Sequence, residues 1–113
     1  MRLRISAVFE FLAVGTCLLI SIFALQAKPS PAEGGELFEQ QCAMCHGTDG
    51  KGFPAMKTPD FTDPKVQASL TNREIFEAIK NGRKGTAMPA FGEKLSDAQI
   101  QSLVTYIRSL KKK

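Results

Sequence analysis

The chain has 113 residues but only one histidine, one tyrosine and no tryptophan. A single imidazole excludes any site built from clustered histidines. A structural zinc site needs about four ligands. Cys42, Cys45 and His46 supply three, and the remaining cysteine, Cys17, lies in an apolar N-terminal run where it makes no plausible fourth. No stretch alternates apolar and polar residues for long enough to argue a strand, so nothing points to a sheet. A strong charge of one sign is also missing. The formal charge of +4 falls by one if residues 1–27, which carry Arg2, Arg4 and Glu10, are removed. Such a balance gives no reason to expect a nucleic-acid partner. The tail Lys111-Lys112-Lys113 reads as a solvated end that favours a helix C-terminus.

What the chain does contain is Cys42-Ala43-Met44-Cys45-His46. Cys-x-x-Cys-His is the attachment signature for c-type haem. Two thiols three residues apart sit on nearly one face of a helical turn, spaced to add to the two vinyl groups on one porphyrin edge. The next residue, His46, then stands under the ring as an axial iron ligand. A thioredoxin-like dithiol also uses Cys-x-x-Cys, but within a βαβ context that is not visible here.

The N-terminus fits this chemistry. Met1-Arg2-Leu3-Arg4 is a short basic start, and residues 5–27 are apolar apart from Glu10. This pattern reads as a signal peptide with Ala24-Leu25-Gln26-Ala27 at the cleavage point. An uncleaved membrane anchor over the same residues is the competing reading. A lipoprotein site at Cys17 is disfavoured, because Thr16 is bulky and apolar residues continue past it. The expected organisation is residues 1–27 as signal peptide or anchor and residues 28–113 as one domain in the periplasm or another exported compartment. In such a compartment a bare thiol pair would instead be read as a disulfide.

Three helices are expected. Ser30 can cap the first, with Pro31 at its first position and Glu33 three residues on. Gly34 and Gly35 weaken that helix in isolation, so their use is close approach by another helix, most simply the last. Thr71-Asn72-Arg73-Glu74 is a capping box, Leu70 and Ile75 a hydrophobic staple, and Asn81-Gly82 a stop. The third helix repeats the device with Ser96 to Gln99, Leu95 and Ile100, and buries Ile100, Leu103, Val104 and Ile107 beside Tyr106. The other core candidates are Leu37, Phe38, Phe53, Phe61, Leu70, Ile75, Phe76, Ile79, Phe91 and Leu95. That set is small for a protein-only core, and a large flat cofactor would complete it.

With one histidine, paired histidine ligation within the chain is impossible. Of four methionines, Met1 lies in the export segment and Met44 sits inside the attachment motif, unable to reach the opposite ring face. Met56 follows His46 by ten residues, in a loop expected on the histidine side. Met88 lies between two helices, bounded by Gly85 and Gly92 and stiffened by Pro89. Met88 is therefore the expected second ligand, although a core methionine would be the ordinary alternative.

Cys42–His46 with Gly47, Met88-Pro89-Ala90-Phe91 before Leu95-Ser96-Asp97, and a final helix bearing Tyr106 resemble the class I monohaem cytochromes c of the small bacterial branch. The likeness covers residues 34–110. It implies an all-α fold of three main helices and loops around one covalent haem c, and Gly34 or Gly35 with Phe38 packed against Tyr106. It also implies that a proline carbonyl, from Pro54 or Pro59, accepts the His46 ring N–H. The function it implies is a one-electron carrier, not an enzyme, with Cys42, Cys45, His46 and Met88 holding the haem, the last two bound to iron. The expected partners are redox proteins such as a membrane-bound dehydrogenase or oxidase, met by a monomer through a haem edge flanked by Lys51, Lys57, Lys84 and Lys94. The rival classes are a haem sensor or peroxidase-like enzyme with a labile sixth ligand, and a haem-free thiol oxidoreductase.

Overall fold

The computed structural model describes residues 28–112. The expected signal peptide or anchor over residues 1–27 lies outside them. Among the described residues there is no strand, and no helix is long and apolar enough to cross a membrane. The helices are α1 (Pro31–Gln41), α2 (Ala43–His46), α3 (Pro64–Ser69), α4 (Asn72–Asn81) and α5 (Asp97–Ser109), with a 3₁₀ turn at Pro54–Met56.

The start signals work as their chemistry requires. Ser30 accepts the Glu33 N–H, and both Thr71–Glu74 and Ser96–Gln99 form complete capping boxes. Gly82 ends α4 with φ +71°, a value that side chains resist; a Cβ there would also stand 2.9 Å from the Met88 carbonyl oxygen. Helix α3 was not expected. It is short and has little apolar periodicity, and its start rests on the Asp63 cap and Pro64.

The main packing unit is α1 against α5. A Cβ on Gly34 would lie 2.1 Å from the Ser102 carbonyl oxygen and 2.8 Å from Tyr106 Cβ, so only glycine permits this approach. Gly35 faces the Tyr106 ring, which also packs on Phe38 at 5.3 Å. The core contains Phe38, Phe61, Ile75, Ile79, Leu95, Ile100, Leu103, Val104 and Ile107. Each such side chain, once fully buried, contributes about 1.5–3 kcal/mol. Phe53 departs from the expected core. It precedes the 3₁₀ turn and is 42% exposed, because the turn carries its segment outward.

Candidate haem site

Cys42 joins α1 to α2, so the whole motif continues the helix that packs on α5. Its carbonyl accepts the N–H groups of Cys45 (3.1 Å) and His46 (2.9 Å), curling the motif into one short turn. Both thiols are free and half-buried. Burial pushes the Cys42 thiol up to about 11, with Cys45 beside it adding in the same direction. A thiol oxidoreductase needs the opposite, a depressed pKa that supplies thiolate. Among the described residues, no three Cys, His, Asp or Glu side chains are placed to hold a metal ion. The zinc and dithiol alternatives thus lose support on geometry and on acidity.

His46 lies between two aromatic rings. Phe61 stacks on it at 5.2 Å and 22°, and Phe38 stands 6.3 Å away, tilted. Burial lowers its pKa from 6.5 and favours the neutral imidazole. Its Nδ1 is buried without a hydrogen-bond partner, so the expected proline bond is not formed. The two prolines nevertheless differ. The Pro54 carbonyl accepts the Lys57 N–H within the 3₁₀ turn, and Pro54 itself is exposed. The Pro59 carbonyl lies 2.8 Å from where a Gly52 Cβ would stand, and the Gly52 N–H donates to the His46 carbonyl at 2.7 Å.

Met88 is half-buried against the core cluster, whereas Met44 is 89% and Met56 49% exposed. Its loop is closed by its own backbone. The Met88 N–H donates to Thr86 Oγ1 (3.2 Å), and its carbonyl accepts the Arg83 N–H (3.3 Å). Phe91 and Gly92 donate to the Ile79 and Lys80 carbonyls, fastening the loop to the end of α4. Lys51, Lys57, Lys84 and Lys94 are exposed, although Lys51 already pairs with Asp49 at 3.5 Å.

This donor set fits a c-type haem: two unpaired thiols on one turn, a neutral imidazole with an orphaned buried nitrogen, and a thioether held on the core. The family described as cytochrome c oxidase, cbb3-type, subunit III matches residues 29–107. The chain belongs to the cytochrome c family. It is 37% identical to the cbb3-type cytochrome c oxidase subunit FixP of Azorhizobium caulinodans over 82 residues, covering 73% of this chain and 28% of that protein. It is 40% identical to cytochrome c6 of Leptolyngbya boryana over 76 residues, covering 67% of this chain and 87% of that one. A solved c-type cytochrome, KustC0563, superposes with a TM-score of 0.65 at 33% identity, over 70% of this chain and 98% of its own. The matched region therefore spans less than a third of the FixP subunit but most of the cytochrome c6 chain. The all-α cytochrome c fold, a role in electron transfer and haem c as cofactor follow from this membership.

Gln67 and Arg108 were missed by sequence reading. Gln67 is buried and Arg108 half-buried. Apolar periodicity does not find buried polar groups, and the one available signal was Asp63-Pro64 opening a helix.

Proposed function

We propose that this cytochrome carries a single haem, joined covalently to Cys42 and Cys45 with His46 and Met88 on iron, and serves as a one-electron carrier rather than an enzyme. The observation that carries the reading is the His46 turn: free thiols and a half-buried imidazole with a buried, unpartnered Nδ1 on the short α2 that follows α1, with Met88 as the least exposed of the three described methionines. The bound haem supplies an iron that gains and loses one electron. Burial keeps the His46 lone pair available for ligation. We take the Pro59 carbonyl as the acceptor for the Nδ1 proton, because Pro54 is exposed and its carbonyl already accepts the Lys57 N–H within the 3₁₀ turn. Thioether ligation by Met88 favours the reduced state and raises the potential. With His46 and Met88 both bound to iron, no position would be left for oxygen chemistry.

The partners we propose are membrane-bound or exported redox proteins, docking where Lys57, Lys84 and Lys94 stand free. Encounters steered by those charges slow as salt rises. The N-terminal segment either directs export to the periplasm or anchors the domain to the membrane. Mass spectrometry of the exported protein, with extraction into acidified organic solvent, tests the attachment. A haem adduct that survives extraction is expected, and haem released from denatured wild type would overturn it. Carbon monoxide binding by reduced wild type would favour the sensor or peroxidase-like reading over the carrier.

A further inference from the structure

Arg108, near the end of α5, places its guanidinium among internal acceptors. Nε donates to Asn72 Oδ1 (2.6 Å), Nη1 to both the carbonyl (2.7 Å) and Oε1 (2.8 Å) of Gln67, and Nη2 to the Leu70 carbonyl. Because a guanidinium only donates, Oε1 of Gln67 must face it. The amide nitrogen is then turned the other way. It donates to the carbonyls of Phe61 (2.6 Å) and Ile107 (2.8 Å). On its other side, the Phe61 N–H donates to the Gly50 carbonyl at 2.8 Å. Phe61 is thus pinned at both backbone polar groups, and its buried ring stacks on His46.

We propose that Gln67, locked in one orientation by Arg108, is a positioning residue that fixes the plane of the His46 imidazole through Phe61. The proposal rests on His46 being an iron ligand. A fully bonded amide on α3 that ties α5 to Phe61 is stiffer than an apolar contact. Gln67 has no freedom to turn, because reversing its amide would set donor against donor and acceptor against acceptor. The orientation of an axial imidazole governs its overlap with the iron d orbitals. Electron paramagnetic resonance and the spread of haem-methyl proton shifts in the oxidised protein report that orientation.

The test uses the haem-loaded full chain. Gln67→Glu keeps the size and the acceptor for Arg108 but removes the donor to Phe61. Phe61→Leu removes the stacked ring and leaves the Gln67–Arg108 bonds intact. Asn72→Ala removes one Arg108 partner and does not touch Phe61. Gln67→Glu and Phe61→Leu are expected to shift the haem-methyl pattern, the g-value spread and the midpoint potential. Asn72→Ala is expected to lower only the melting temperature. A wild-type spectrum and potential in either Gln67→Glu or Phe61→Leu would overturn the proposal, leaving Gln67 a purely structural tie. If Gln67→Glu fails to mature, Gln67→Met, neutral and of similar length, also removes the donor to Phe61, together with the side-chain acceptor for Arg108. Absence of haem in wild type is seen first, in its pigment spectrum; it would overturn the ligand reading and this proposal with it, and is distinct from a wild-type pattern in haem-loaded variants.

Discussion

The segments around His46 and Met88 are held by different forces. His46 is seated by buried side chains, with Phe61 stacked on it and Phe38, 1% exposed, alongside. Residues 83–87, leading to Met88, are all exposed, and that loop is held mainly by backbone hydrogen bonds. Releasing His46 means opening packed aromatic contacts. Releasing Met88 needs only a local rearrangement of exposed chain, and segments of that kind open at the low end of a protein's stability range. On the proposed ligand set, the histidine side would be the firmer of the two and the methionine side the one that opens more readily.

The contrast can be broken most severely on the histidine side. Cys42→Ala with Cys45→Ala is expected to abolish covalent haem entirely, so that acidified solvent extracts whatever pigment remains. His46→Ala is expected to block maturation or yield a five-coordinate, unstable product. Absorbance of the extracted and retained fractions decides both.

Gly34→Ala comes next. The added Cβ meets backbone, the Ser102 carbonyl at 2.1 Å, and backbone cannot turn aside as a flexible side chain could. Separating α1 from α5 should cost about 3 kcal/mol, the upper part of the usual overpacking range. Chemical denaturation of the haem-loaded protein measures it. Because Cys42 begins where α1 ends, reduced yield of holoprotein should accompany the loss, whereas a variant of wild-type stability would mean that the helices are not in this contact.

Met88→Ala probes the other side of the comparison. Attachment should survive, since it uses Cys42, Cys45 and His46. The far-red band of iron–thioether ligation should disappear, the potential should fall and the reduced protein should bind carbon monoxide. The packing loss should be about 2 kcal/mol, the low end for truncating a core methionine, because Met88 is only half-buried. Met56→Ala, in an exposed turn, should change none of these signatures. The reverse pattern would falsify the ligand assignment.

The same contrast governs what the sequence made legible. Both capping boxes, the α4 stop and the Gly34 approach came through because each depends on a few neighbouring residues or on a backbone constraint that only one residue type meets. Elimination among four methionines left Met88 as the candidate ligand, and it is also the least exposed of the three described. Phe53 was misjudged because apolar character says nothing of the direction a loop takes, and a three-residue turn carried it outward. The Gln67–Arg108 tie joins residues 41 apart through polar atoms. No local pattern encodes such a pairing, so it was invisible until the fold brought the two together.

The smallest expected effect separates the two capping boxes themselves. Thr71→Ala and Ser96→Ala should each cost about 1 kcal/mol at neutral pH. Their partners differ in kind: Glu74 is a carboxylate and Gln99 a neutral amide. Hydrogen bonds from the Thr71 N–H, and then from its hydroxyl, hold the Glu74 carboxyl below its ordinary 4.5. A depressed carboxyl pKa contributes stability that is present above the unfolded value and is lost as the pH falls through the folded one. The Thr71 hydroxyl donates to that carboxylate at 2.8 Å, so protonating Glu74 removes part of what Thr71→Ala would delete. The penalty of Thr71→Ala should therefore shrink as the pH is lowered below about 4.5, while that of Ser96→Ala stays constant. Urea titrations of the two variants at neutral and acid pH give the comparison. Equal pH dependence in both would mean that the charge on Glu74 adds nothing to the α4 box.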